Sequence, residues 1–490
     1  MSWRQEAKIS IHLSQKGRQG YSLPKCDVPR TMPTKDARET RIELPEVSEL
    51  DAVRHYTNLS YSNFSIDAGM YPLGSCTMKY NPRINEVTAA NPDFNIHPLC
   101  PDHLAQGALD LIYRIENSLA EISGFARISM QPGAGAQGEF AGIRMIRACL
   151  EARGELEQRK KILIPESAHG TNPATAAMCG FEVVPVKAGS DGILEVEEID
   201  RLSRGGDIAA LMITNPNTVG LFETNIKAIT DLLHERGALV YCDGANLNAV
   251  LGITRPGDWG VDVMHFNLHK TFTTPHGGGG PGCGAVGVSK TLVPYLPVPK
   301  IERNLNKGEA AFVREYDSPE SVGKVKAYFG HFLMMVRAYT YIRELGPEGI
   351  KKVGEDAVLL ANYIRVRLKG AYQIAYDKPC MHEVIFNDKK QNANGIKTMD
   401  IAKRIIDLGF HPPTVYFPLI VPGALMIEPT ETESFENVDA LCDAFLQIAR
   451  EAAEVGGKEK YFDGSPKTTP ITRVDETLAV RNLVLTWKDL

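Results

Sequence analysis

From about Arg127 onward, short continuous apolar runs alternate with stretches of helical period. The runs are KILIP (161–165), FEVVPV (181–186), IAALMIT (208–214), ALVYCD (238–243) and VDVMHFN (261–267). Uninterrupted apolar runs of this length predict strands buried on both faces. Between two of them, TNIKAITDLLHERG carries Ile226, Ile229, Leu232 and Leu233 on one helical stripe. Thr224 is placed to cap this helix and Gly237 to end it. Strands alternating with amphipathic helices predict an α/β fold: a mostly parallel sheet covered on both faces. Ligands of such sheets bind at the carboxyl ends of the strands, so the residues just after each run converge in space.

The pattern changes on either side of this region. Over the first 60 residues, Pro24, Pro29, Pro33 and Pro45 interrupt a weak apolar period, which predicts an extended arm with one helix near Glu46 to Tyr56. After about residue 330 come two long helical stretches, HFLMMVRAYTYIRELG and GEDAVLLANYIRVRLKG. Strand-like YQIAY, MHEVIF and ALMIEPT follow, mixed with helices TMDIAKRIIDLG and NVDALCDAFLQIAREAAE. This reads as a smaller α+β domain, with TRVDETLAVRNLVLTW as a tail that packs elsewhere. The expected division is an arm over 1–60, a large domain over 61–330, and a C-terminal domain with its tail over 331–490.

Composition narrows the class. A chain of 490 residues with 43% apolar and 23% charged positions suits a globular enzyme of more than one domain. A net charge of −6 gives no footprint for nucleic acid. No run approaches the roughly 18 apolar residues of a membrane span, and the N-terminus does not read as a signal peptide. Nine scattered cysteines without a CxxC pair argue against a disulfide framework or a zinc site, and for a reducing cytosol.

The strand ends supply the chemistry. MQPGAGAQGE (130–139) puts Ala134, Gly135 and Ala136 at the start of a helix. A ligand can approach the backbone N–H groups there, as a phosphate does, although the same residues also make a tight turn. His169 follows another strand, and Asn215 and Asn217 end a third; all three also suit structural roles. Asp243 ends a very apolar run, where a carboxylate is costly without a partner; helix capping is the plain alternative. Lys270 ends the last run, and buried lysines are rare. Together, a phosphate-holding helix start, an aspartate and a lysine 27 residues later match what pyridoxal 5'-phosphate requires. The lysine forms the Schiff base and the aspartate keeps the pyridine nitrogen protonated. His169 would lie over the ring, and small Ala245 would leave room beneath it.

MYPLGSCTMKYNP (70–82), NIHPLCP (95–101), DGANLNA (243–249), NLHKTFTTPHGGGGPG (267–282) and YFPLIVPGALMIEPTETES (416–434) carry a resemblance. From about residue 60 to its end, the chain resembles the glycine cleavage system P-protein, a glycine dehydrogenase (decarboxylating). Its length resembles the lysine-bearing subunit 2 of the two-subunit form. The resemblance implies a type I, aspartate-aminotransferase-like pyridoxal-phosphate fold. It also implies glycine decarboxylation with transfer of the aminomethyl group to the lipoyl disulfide of H-protein. Subunit 1 would be the partner, in a heterotetramer. Carried over by position, Lys270 is the Schiff-base lysine, Asp243 the partner of the ring nitrogen, His169 the stacking histidine, and Ala245 the residue under the ring. Ala134, Gly135 and Ala136 form the phosphate loop. Here Gly133-Ala134 stands where the long form has Asn-Ser, so backbone N–H groups must suffice. Asn215 and His269 join the expected cofactor contacts. The glycine run after His276 is expected to pass close to the cofactor or the lipoyl arm. Cys76 reads as an inert residue of a packed loop, and Lys79 as a partner for an anion. Arg303, Arg314 and Arg404 are unranked candidates for the substrate carboxylate. Asp243 and Lys270 alone also suit another type I enzyme, such as an aminotransferase or cysteine desulfurase; a non-catalytic scaffold is the remaining alternative, and it has no need of either residue.

Overall fold

The computed structural model describes residues 8–29, 31, 38–40, 42–97, 99–276, 282–304, 311–327 and 329–489. It separates into two compact units, Met1–Gly69 with Asp463–Leu490, and Met70–Phe462. Among the described residues no helix is long and apolar enough to cross a membrane.

In the first unit, the arm carries a helix over Glu49–Ser60, capped by the Ser48 hydroxyl, which accepts from the Asp51 amide. Arg18 pairs with Asp51 at 2.6 Å. The tail contributes a short helix, Glu476–Arg481, and Lys488 reaches Glu43 of the arm at 2.5 Å. Neither helix buries a residue.

The second unit is built on a seven-stranded sheet. Its strands are β1 (Arg127–Ser129), β2 (Lys161–Pro165), β3 (Glu182–Val186), β4 (Ile208–Thr214), β5 (Leu239–Asp243), β6 (Val263–Asn267) and β7 (Gly284–Val288). The spatial order is β1-β7-β6-β5-β4-β2-β3. All five apolar runs became strands. The runs of β4, β5 and β6 are buried at every position, as expected for central strands covered on both faces. β3 lies at the edge and is largely exposed. Strands β2 to β6 pair in parallel, whereas β7 runs antiparallel to both β6 and β1. β1 therefore points the same way as β6, and its carboxyl end joins those of β2, β4, β5 and β6 along one edge.

The helix Gly135–Ala152 crosses the sheet closely because it presents glycine where it meets the strands. A Cβ at Gly142 would lie 3.1 Å from the Tyr241 ring and 3.2 Å from Val263. The helix between β4 and β5 spans Ile226–Glu235 and starts one residue later than Thr224 would cap. Its cap position is Asn225, with no side-chain capping bond, and Gly237 follows it at φ 77°.

Beyond the sheet, the helix Phe332–Leu368 is interrupted at Gly346, whose φ of 62° marks the joint between the two predicted helical stretches. A four-stranded antiparallel sheet follows, formed by Gln373–Ile374, Val384–Asn387, Ala424–Ile427 and Thr414–Val415. The helices Thr398–Asp407 and Phe435–Ala453 pack on it around Ile401, Leu425, Leu441 and Phe445. The loop after Met70 docks here: Gly74 N–H donates to the Met426 carbonyl and Leu73 bridges to Ile427.

Candidate active site

The carboxyl ends of β2, β4, β5 and β6 surround a cavity of about 160 Å³. Ser75, Ala136, Glu139, His169, Thr214, Asp243, Ala245, His265 and Lys270 line it.

Asp243 ends β5 and is only 5% exposed. Burial alone would raise its pKa. His265, Lys270, the Ala245 amide and the Asn172 side chain more than offset this, and hold the carboxyl below its ordinary range. Its Oδ1 accepts from Ala245 N at 2.9 Å and its Oδ2 from Asn172 Nδ2 at 3.2 Å. His265 Nε2 stands 3.5 Å from Oδ1. That ring is held by the Tyr241 hydroxyl at 2.5 Å and by Asn267 Oδ1 at 3.0 Å. His265 and Asn267 are two apart on β6, so they share a face.

Lys270 sits in a single helical turn, Leu268–Thr271, directly after β6. Its Nζ donates to the Ser75 carbonyl at 2.9 Å. Ser75 belongs to the docking loop and holds a left-handed conformation, φ 63°, uncommon for a residue with a side chain. Cys76 follows it. Burial raises the Cys76 thiol despite the nearby Lys270 charge, so it is not an activated thiolate. Lys79, from the same loop, is 4% exposed and pairs with Glu431 at 2.6 Å. It also donates to the Thr271 carbonyl at 2.8 Å, beside Lys270.

The start of the helix Gly135–Ala152 reaches the same cavity through Ala136. Ala134 is its cap and makes no side-chain capping bond. The first backbone N–H groups are therefore available to an anion, reinforced by the helix dipole. The approach is close: a Cβ at Gly135 would stand 1.9 Å from Asn267 Nδ2. Lys326 donates to a ring nitrogen of His331 at 2.9 Å, and a Cβ at Gly133 would lie 2.7 Å from the Lys326 amine. Positive charge thus sits beside this loop.

His169 opens on the cavity from the turn after β2. Its Nδ1 accepts from the Thr171 amide at 3.2 Å, and its ring is 5.8 Å from that of Phe417. Asn215 does not line the cavity. Its Oδ1 accepts from the Glu223 amide at 3.0 Å, and the cavity takes Thr214 and Thr218 from this segment instead. His269 also points elsewhere, with Nδ1 3.0 Å from the Cys283 carbonyl and its ring perpendicular to His276 at 4.9 Å. Burial pushes its pKa down to about 4, so its ring is neutral. Gly277–Pro281, most of the glycine run, lie outside the described residues. Of the arginine candidates, Arg314 pairs with Asp102 at 2.6 Å and Arg404 with Glu451 at 2.8 Å. None of the three lines this cavity. His97 and Arg314 line a separate apolar cavity of about 610 Å³.

Glu139, Thr214, His265 and Asn267 were not singled out from the sequence. The alternation of polar His265 and Asn267 inside a buried strand was the available signal. So was a glutamate five residues into a helix that follows a glycine loop. The Thr214 hydroxyl is buried and has no partner among the described residues. An amine, a buried ionised carboxylate and a helix start around one cavity can hold a phosphorylated aromatic aldehyde by three of its groups.

Comparison with known proteins agrees with the fold. Residues 137–300 match the family described as Aminotransferase class-V, and residues 353–469 the family described as Glycine dehydrogenase, C-terminal domain. Among solved structures, glycine decarboxylase (P-protein) of the glycine cleavage system, in inhibitor-bound form, superposes with a TM-score of 0.71. It is 19% identical and covers 85% of this chain and 93% of that one. The cysteine desulfurase CsdA of Escherichia coli gives 0.60 at 17% identity, over 79% of this chain and 95% of that one. Two much nearer relatives are each named probable glycine dehydrogenase (decarboxylating) subunit 2. The one from Alkaliphilus oremlandii is 51% identical over 487 residues, 98% of each chain. The one from Bacillus velezensis is 51% identical over 490 residues, 99% of this chain and 98% of its own. Identity at half of all positions, sustained over nearly the full length of both partners, means that the chain belongs to the glycine dehydrogenase (decarboxylating) subunit 2 family, enzymes of the glycine cleavage system.

Proposed function

We propose that this chain binds pyridoxal phosphate on Lys270, decarboxylates glycine with it, and passes the aminomethyl group to the lipoyl disulfide of H-protein. The observation that carries this reading is the placement of Lys270 and Asp243, from adjacent strands, on one cavity that ends at an uncapped helix start. The residues fit the cofactor. The Ala134–Ala136 backbone would take the phosphate, and the Thr214 hydroxyl, without a partner among the described residues, lines the same cavity across the ladder from Asp243. Asp243, held ionised, would face the ring nitrogen, with Ala245 and His169 toward the two ring faces.

When bound, pyridoxal phosphate supplies an electron sink for the pair left as CO₂ departs. The chain's own residues do the rest. Asp243 keeps a proton on the nitrogen it faces, with His265 and Asn172 fixing its orientation. The Ser75 carbonyl holds the Lys270 amine ready to return after the substrate leaves. The narrow cavity limits water, so that carbon reacts with the lipoyl disulfide before it is protonated. In that transfer the electron pair left by CO₂ would form a C–S bond, the S–S bond would break, and the second sulfur would leave as a thiolate that takes its proton from solvent.

The relatives' designation as subunit 2 supports a partner subunit. We take that partner to be subunit 1 and the assembly to be a cytoplasmic heterotetramer. The test uses the chain purified with its partner. A visible absorption band should disappear on borohydride reduction, with the adduct mapped to Lys270 by mass spectrometry. Glycine should then release CO₂ only when lipoylated H-protein is present. A folded complex with unmodified Lys270 would overturn the cofactor assignment. CO₂ release indifferent to H-protein would overturn the acceptor and leave another type I decarboxylase.

A further inference from the structure

Three buried side chains at the junction of the docking loop and the smaller sheet have no role in the site described so far. His382 and Glu383 precede the strand Val384–Asn387, and Glu428 follows the strand Ala424–Ile427. Val384 pairs with Ile427 in antiparallel register, so Glu383 and Glu428 occupy the next position across the ladder. Like charges directly opposed on paired strands repel. His382 and Glu383 are 0% exposed and Glu428 1%. His382 Nε2 lies 4.0 Å from Glu383 Oε2 and 4.0 Å from Glu428 Oε1. Among the described residues, both His382 nitrogens, Glu383 Oε1 and Glu428 Oε2 have no hydrogen-bond partner.

The remaining oxygens hold the loop that carries the catalytic contact. Glu383 Oε2 accepts from Ser75 N at 2.7 Å, and Glu428 Oε1 from the Thr77 hydroxyl at 2.5 Å. On the other side of the same residue, the Ser75 carbonyl accepts from Lys270 Nζ at 2.9 Å. The unusual φ of Ser75 is thus fixed from both sides. Three other titratable groups act on the cluster. Lys79 is already paired with Glu431, Cys76 is half-buried with its thiol raised and uncharged, and Lys270 is the remaining cation. Lys270 changes charge whenever its amine gains or loses a bond. Two carboxylates in a dry site cannot both stay ionised while that charge comes and goes.

We propose that His382, Glu383 and Glu428 form a proton-holding positioning site for Lys270: they fix the Ser75–Thr77 segment on which the amine rests, and they share a proton whose binding follows the charge of that amine. A carboxyl O–H ionises as the lysine nitrogen gains a proton, and is restored as the nitrogen loses it, so the net charge of the buried set stays constant. Burial pushes Glu383 up to about 7 and Glu428 well above the ordinary carboxylate range, which supports a shared proton. Burial, aided by the Lys270 charge, pushes His382 down to about 3, so the imidazole is neutral and offers no counter-charge.

The inference rests on Lys270 carrying the cofactor, and the experiment separates the two ideas. The cofactor-loaded complex with its partner subunit is titrated, and the visible band is followed against pH for wild type, Glu383→Gln and Glu428→Gln. The amides keep an acceptor for Ser75 N–H or Thr77 Oγ1 but cannot ionise. The expected result is a midpoint lowered by about one pH unit in either amide variant, because a nearby negative charge no longer favours the protonated nitrogen. Glu383→Ala, which also loses the Ser75 anchor, should bind the cofactor more weakly than Glu383→Gln. Superimposed wild-type and amide curves in loaded protein would overturn the proposal and leave the cofactor reading intact. Failure of both amide variants to fold would also overturn it, since a site that holds a neutral carboxyl tolerates a neutral amide. A wild-type complex with no band would refute the cofactor reading, and this inference would fall with it.

Discussion

Gly135→Ala tests the close approach at the helix start. An alanine Cβ would stand 1.9 Å from Asn267 Nδ2 and 3.2 Å from His265 Nε2. Ordinary contact needs roughly 3.5 Å, so Asn267 must move by about 1.5 Å. Without cofactor the cavity can receive the displaced amide, and the strain is relieved. With the cavity filled it cannot, so the cost of overpacking, about 1–3 kcal/mol, falls on binding. At 1.4 kcal/mol per factor of ten, the Kd for pyridoxal phosphate should rise roughly 5- to 150-fold. The thermal midpoint of the cofactor-free protein should change little. The assay is a fluorescence titration of the stripped complex, with Gly107→Ala as control, since a Cβ there meets nothing within 4 Å. An unchanged Kd with a lowered thermal midpoint would refute the reasoning, because the strain would then lie in the protein itself.

Three further outcomes are expected. Lys79→Met should cost about 3–5 kcal/mol in urea denaturation, because Glu431 is left charged and buried. Adding Glu431→Gln should recover part of this, and a single-variant loss under roughly 1 kcal/mol would contradict a buried pair. Asp243→Asn should fold and keep the Ala245 contact, yet release CO₂ from glycine roughly 100-fold more slowly at matched cofactor occupancy. A wild-type rate in the loaded variant would remove Asp243 from the chemistry. His234 lies 2.7 Å from Asp262, and that hydrogen bond raises it above its ordinary 6.5. A raised folded-state pKa adds stability that is complete below 6.5 and is lost as pH climbs through the folded value. The stability gap between wild type and His234→Gln should therefore be larger at acid than at alkaline pH, and a gap independent of pH would show that the histidine stays neutral.

The local pattern carried the central strands and the two residues on which the proposed function rests. Runs such as IAALMIT can only be covered on both faces, and a charged residue at the end of such a run needs an explanation. That logic drew attention to Asp243 and Lys270. It could not see β7. GAVGV has no long side chains to signal burial, although a glycine there is what lets strand and helix approach: a Cβ at Gly284 would lie 2.3 Å from the Ala134 carbonyl. Nor could it anticipate Asn215, whose polar side chain at a strand end satisfies the Glu223 backbone, so that its neighbour Thr214 faces the cavity.

What lay furthest from the local pattern is the support of the lysine. Ser75 and Glu383 are 308 positions apart, yet their 2.7 Å bond fixes the peptide that holds Lys270. No window of sequence contains both. The strands that deliver Glu383 and Glu428 are short, and each reads as an ordinary apolar segment followed or preceded by an acid. Only the register Val384 to Ile427 makes the two acids neighbours. The cost of that arrangement is the argument for its use. A fold indifferent to Lys270 could place two apolar residues on these positions and gain stability. Instead it keeps two carboxyls and an imidazole in the dry interior, within reach of the Lys270 charge, which changes in the proposed function.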